Sequence, residues 1–126
     1  MQSNNERPLF LDLTRIRLPL TALVSIGHRI SGVMLFLSLP LLLYLFGLSL
    51  QSEEGFARVG AILSQPLVKL LLIPYAWFLA HHLFAGIRHL LLDMEIGVEK
   101  EAARLGSRLV VAAGAVVLLI AMVGVW

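Results

Sequence analysis

Three stretches of this chain contain no charged residue at all: Ile30 to Ser52, Leu70 to Ile87 and Leu109 to Trp126, of 23, 18 and 18 residues. The hydrocarbon core of a bilayer needs about 20 consecutive apolar residues in a helix to cross it, with a range of roughly 17–25. In lipid, every backbone N–H and C=O must be paired within its own segment or a closed barrel, so runs of this length read as helices. The fold class expected is an all-α membrane protein with three transmembrane helices, spanning about residues 22–50, 66–93 and 105–126. The second span reaches from Pro66 to Asp93 if Lys69 snorkels to the interface and Arg88 finds a partner. A hydrophobic fraction of 59% against 14% charged residues, with mean hydropathy +0.89, leaves too little polar surface for a water-soluble domain of 126 residues. A net charge of +2 gives no argument for a nucleic-acid partner. The absence of cysteine excludes disulfides, cysteine-ligated iron–sulfur clusters and thiolate haem ligation within the chain.

Residues 1–20 carry Arg7, Asp12, Arg15 and Arg17 and have no long apolar core. They read as a cytoplasmic N-terminal segment rather than a cleavable signal peptide. Arg7, Arg15, Arg17 and Arg29 lie at or near the N-terminal end of the first span, and Arg88, Lys100, Arg104 and Arg108 flank the second connection. The first connection has only Arg58 and Lys69. The positive-inside rule then places the N-terminus and the second connection in the cytoplasm and the C-terminus, with Trp126 at the interface, on the opposite side. Glu53 and Glu54 read as an exposed loop on that opposite side, and Glu95 to Arg108 as a solvated cytoplasmic loop. Pro40, mid-span, is expected to kink the first helix.

The candidate chemistry lies in two places. His81, His82 and His89 sit in the second span, where ionisable groups are costly and mark functional sites. His82 and His89 are two turns apart, about 10 Å along one face, with Ala85 and Gly86 between them. A flat cofactor lying over Gly86 would bring its metal to His82 and a peripheral carboxylate to His89. His81 points about 100° away. The bland alternative is a set of helix–helix hydrogen bonds, with Gly86 serving close packing. The third span contains no histidine, so a haem here takes its other ligand from His28 or from a partner chain. In the first span Ser25, His28, Arg29 and Gly32 follow i, i+3, i+4, i+7 spacing, with Ser31 off that stripe. Arg29 and Arg88 either snorkel to headgroups or hold anionic groups, such as haem propionates or a polarised quinone carbonyl. Asp93 either orients His89 or faces water. No phosphate loop, buried carboxylate pair or nucleophile–base arrangement is visible.

Arg7-Pro8, Leu11-Asp12-Leu13, the S-x-x-H-R-x-[ST]-G pattern from Ser25 to Gly32, and the H-x-x-x-G-x-R-H-x-x-x-D pattern from His82 to Asp93 together carry a resemblance. The chain resembles the cytochrome b anchor subunits of bacterial succinate dehydrogenase, complex II, from about Arg7 to its C-terminus. The resemblance implies a helical bundle completed by a second anchor subunit and a multi-pass location in the bacterial inner membrane. It implies haem b held by His82 and by a histidine of that second subunit. It also implies His28, Arg29 and His89 near the haem propionates, and a ubiquinone site that includes Ser25, Ile26 and Arg29. Flavoprotein and iron–sulfur subunits would be the other partners, with succinate oxidised there and not on this chain. His81 is a departure, since it sets a second histidine beside the ligand position; the spacing to Gly86 favours His82. Two alternatives stand beside this reading: an anchor of a quinol:fumarate reductase, and a non-redox membrane scaffold.

Overall fold

The computed structural model describes residues 17–126, so Arg7, Asp12 and Arg15 of the N-terminal motif lie outside the described residues. Four helices follow: α1 (Leu20–Gln51), α2 (Glu53–Leu63), α3 (Pro66–Asp93) and α4 (Lys100–Gly124). Among the described residues there is no strand. Helices α1, α3 and α4 are long and apolar enough to cross a membrane. Pairings of Val24 with His81 and of Ser38 with Tyr75 run α1 antiparallel to α3. Pairings of Arg88 with Ala103 and of Trp77 with Gly114 run α4 antiparallel to α3.

Two connections differ from their expected form. The first contains α2, a short helix rather than a loop. Its start is encoded locally: Ser52 accepts a hydrogen bond from Gly55 N at 3.0 Å, and Glu53 and Glu54 occupy the first turn, where the helix dipole favours acids. High charge content disguised that start. The second connection is shorter than expected, because α4 begins at Lys100 and carries Arg104 and Arg108 in helix. The α3–α4 turn closes with Glu95 and Gly97 at positive φ (60° and 75°). Helix α1 is unbroken through Pro40, as is α3 through Pro74.

The three long helices meet through small side chains. Val24 of α1, Ala85 of α3 and Val110 of α4 form the buried apolar centre, with Phe84 against it. Ser31 of α1 and Ser107 of α4 are fully buried as well. Lipid tails are as apolar as leucine, so helices in a membrane associate by close packing and interhelical hydrogen bonds rather than by hiding large side chains. The large ones, among them Phe36, Leu37 and Phe46, point outward instead. Outside the plane of the histidines, Lys69 sits over the Trp126 ring at 5.5 Å, a cation–π contact that ties the start of α3 to the end of α4.

Candidate functional site

The midpoint of α3 falls between Leu79 and Ala80, so His81 and His82 lie near the middle of this apolar helix. Both turn toward α1, and each meets a backbone carbonyl. His81 is buried; its Nε2 is 3.3 Å from Val24 O and its ring stacks on Trp77 with centroids 5.0 Å apart. Gly27 makes room for it, because a Cβ there would lie 2.6 Å from His81 Nε2. His82 is only half-buried. Its Nδ1 is 3.1 Å from His28 O and 3.4 Å from Ser31 Oγ, and Ser31 Oγ itself donates to His28 O at 2.9 Å.

These contacts fix the tautomers. A carbonyl oxygen only accepts, so the ring nitrogen facing it carries the proton. His81 therefore uses Nε2–H to clamp α3 to α1. His82 uses Nδ1–H for the same carbonyl-directed bond, which leaves the Nε2 lone pair available. A metal-ligating histidine has this arrangement: the non-ligating ring N–H is held by a carbonyl or carboxylate, which sets the ring's orientation and raises its basicity.

His28 lies flat on His82, ring centroids 4.2 Å apart and planes 5° apart, and its Nε2 sits 3.3 Å from where a Cβ on Gly86 would be. The space above Gly86 is thus taken by an imidazole of α1. His89 is tilted against His28 at 5.1 Å. Three histidines, His28, His82 and His89, come together on the α1–α3 seam. Two face-stacked rings present π faces to each other, whereas lone pairs lie in the ring plane. His28 and His82 are therefore not placed to ligate one metal from opposite sides. Among the described residues no group of three or more metal-binding side chains forms a metal site.

A family model of the succinate dehydrogenase/fumarate reductase transmembrane subunit matches residues 3–122. The chain belongs to this family. It is similar to the succinate dehydrogenase cytochrome b556 subunit of Coxiella burnetii, 36% identical over 124 residues that cover 98% of this chain and 99% of the relative. It is 35% identical to the cytochrome b556 subunit of Paracoccus denitrificans, over 92% of this chain and 88% of that one. It is 36% identical to the cytochrome b560 subunit of Reclinomonas americana, over 78% and 72%. The chain is thus a transmembrane subunit of the succinate dehydrogenase/fumarate reductase family.

Within this anchor subunit the remaining site residues separate from the histidine cluster. Ile26 is 41% exposed and Arg29 is exposed, while Ser25 is half-buried. The i, i+3, i+4, i+7 stripe is therefore split. His28 and Gly32 face α3, and Arg29 faces outward on an open side of α1. Arg88 does not join the histidines either, since its side chain runs to α4 and donates to Ala103 O at 3.3 Å. Ser31 is the residue that sequence reasoning missed. It lies off the i, i+3, i+4, i+7 stripe, yet it is fully buried and touches both His28 O and His82. The signal was present as a 4-3-4-3 spacing of Val24, His28, Ser31, Leu35 and Ser38, which is the seam of two packed helices. Small and polar residues carry that seam, so hydropathy does not reveal it.

Proposed function

We propose that this anchor subunit binds haem b together with a second membrane anchor subunit and helps form the ubiquinone site of a succinate:quinone oxidoreductase. The observation that carries the reading is the Nδ1–H bond of His82 to His28 O at 3.1 Å, which leaves Nε2 of a half-buried ring as the atom that would hold the haem iron. The stacking of His28 on His82 keeps His28 from joining it on one metal, which supports a second ligand from another chain. His28 and His89 in the cluster, and Arg29 on the outward side of α1, are the imidazole and guanidinium donors that would hold the haem's propionates. When bound, haem b supplies a one-electron store in the membrane.

The quinone is the substrate, reduced by electrons delivered from flavoprotein and iron–sulfur partner subunits, where succinate is oxidised. On this chain Ser25 and Arg29 offer a hydroxyl and a fixed positive charge on the accessible side of α1. Their role is to orient the quinone carbonyl and stabilise negative charge as it develops. Ile26, exposed between them, offers an apolar wall for the ring. The likeness to bacterial anchor subunits supports insertion in the bacterial inner membrane, and the distribution of basic residues supports a cytoplasmic N-terminus and a periplasmic C-terminus. That orientation puts Ser25 and Arg29 on the side of the soluble partners.

The test compares neighbouring histidines in the assembled complex. His82→Ala is expected to abolish the reduced-minus-oxidised b-type spectrum while His81→Ala retains it. An unchanged spectrum in assembled His82→Ala overturns the ligand assignment. Arg29→Ala is expected to lower quinone reductase efficiency roughly 10–100-fold, the loss of one charge-assisted hydrogen bond, with subunit composition intact. Unaltered quinone kinetics in that complex defeat the quinone role independently of haem.

A further inference from the structure

Arg88 is the buried charged group that the proposed function leaves unused. It is 9% exposed and runs along Gly106 in the seam between α3 and α4. Nη2 donates to Ala103 O at 3.3 Å, and Nε is buried without an acceptor. A guanidinium carries five N–H donors and stays charged in any protein environment. One neutral carbonyl at 3.3 Å neither saturates those donors nor neutralises the charge. Among the described residues the one ion pair is Arg58 with Glu54, on α2. An ionisable side chain in a spanning helix calls for a partner.

Depth and surroundings indicate which partner. Arg88 lies eight to nine residues beyond the α3 midpoint, about 12–14 Å along the helix axis. The half-thickness of the hydrocarbon core is about 15 Å. Arg88 is therefore at the boundary between acyl chains and headgroups. Two depressions meet at it. One, about 120 Å³, opens toward the α3–α4 turn at Ile96 and Gly97. The other, about 370 Å³, runs toward mid-membrane between Phe84, Ile87, Leu109 and Ala113.

We propose that this groove holds a glycerophospholipid of the bilayer, its phosphate on the Arg88 guanidinium and one acyl chain along Phe84, Ile87 and Leu109. A phosphate diester accepts the parallel N–H pair that a guanidinium offers and neutralises its charge. A free anion would satisfy Arg88 and leave the apolar groove empty; a neutral lipid would fill the groove and leave Arg88 unsatisfied. A phospholipid does both at the depth where its phosphate naturally lies.

The experiment uses the whole complex, purified and delipidated in detergent, with dioleoyl phosphatidylglycerol as the probe. Inorganic phosphate and dioleoylglycerol are the controls, and binding is read by native mass spectrometry and by the thermal midpoint. Phosphatidylglycerol is expected to bind and raise the midpoint where neither control does. Arg88→Gln is expected to weaken binding about tenfold or more, with Arg88→Lys between it and the parent chain. Ala113→Phe, which fills the groove and leaves the charge alone, is expected to weaken it as well. If Arg88→Gln does not assemble, Ala113→Phe decides. Equal binding by dioleoylglycerol, an equal effect of inorganic phosphate, or retention unchanged in Ala113→Phe and Arg88→Gln each overturns the proposal. The last of these would mean that water or another subunit completes Arg88.

Discussion

On its α1 side, α3 presents His81 and His82 to carbonyls of Val24 and His28 at 3.3 and 3.1 Å; on its α4 side it presents Arg88 to one carbonyl and a buried Nε to none. The same helix thus carries two kinds of polar contact. His81 spends its ring N–H within the bundle and is walled in by Trp77. His82 spends one ring nitrogen and keeps the other, on a ring that remains accessible. Arg88 keeps most of its donors. In a membrane, where an unmade hydrogen bond has no water to fall back on, the surplus valence is what distinguishes a ligand-binding group from a structural one.

The two seams also differ in tightness, and glycine substitutions break the comparison most strongly. A Cβ at Gly27 would stand 2.6 Å from His81 Nε2, a distance that requires movement of a buried ring already held by Val24 O and Trp77. Gly27→Ala is expected to cost about 1–3 kcal/mol, the range for overpacking a fitted interior. It should show as a lower thermal midpoint of the assembled complex. On the α4 side a Cβ at Gly114 would stand 3.1 Å from Trp77 Nε1, so that a few tenths of an ångström of relaxation suffice. Gly114→Ala should cost under about 1 kcal/mol, less than Gly27→Ala. Gly47→Ala, with nothing within 4 Å, serves as the control for helix propensity alone. If Gly114→Ala proves the worse of the two, the α1–α3 seam is not the tight one.

The class of three long apolar helices is legible because length and apolar content decide it. The histidines were legible as costly residues in an apolar helix. Their division of labour was not. His81 and His82 are neighbours of the same type, and only the position of α1 shows which ring is enclosed. Ser31 was hidden because its role depends on the interhelical seam, which a hydrophobic pattern does not trace when histidine and serine interrupt it. Helix α2 was hidden by its own charges, although Ser52 followed by Glu53 and Glu54 is a helix start. Arg88 read equally well as a snorkelling or an anion-holding residue. Its burial against Gly106 depends on α4, whose first two turns read as loop from their charges.

The smallest effect tests whether the α1–α3 seam is held by hydrogen bonds away from the histidines as well. Ser38 Oγ donates to Leu35 O at 2.7 Å, which uses its proton, so the 3.1 Å contact with Tyr75 has the tyrosine hydroxyl as donor. Tyr75→Phe removes that donor and leaves Ser38 with its own helix bond intact. Its cost should be about 0.6 kcal/mol, the average for an interhelical hydrogen bond in a membrane protein. Ser38→Ala instead leaves the Tyr75 hydroxyl without its partner, and should cost more, up to about 1.7 kcal/mol. The two substitutions in a double-mutant cycle, read on the thermal midpoint, isolate the pair. A coupling of a few tenths of a kcal/mol or more, with the b-type spectrum and quinone kinetics unchanged, extends the polar seam from Val24 to Ser38. A coupling near zero would confine hydrogen-bonded closure to the histidine end. The rest of the α1–α3 contact would then rest on packing alone, as the Gly114 side of α4 does.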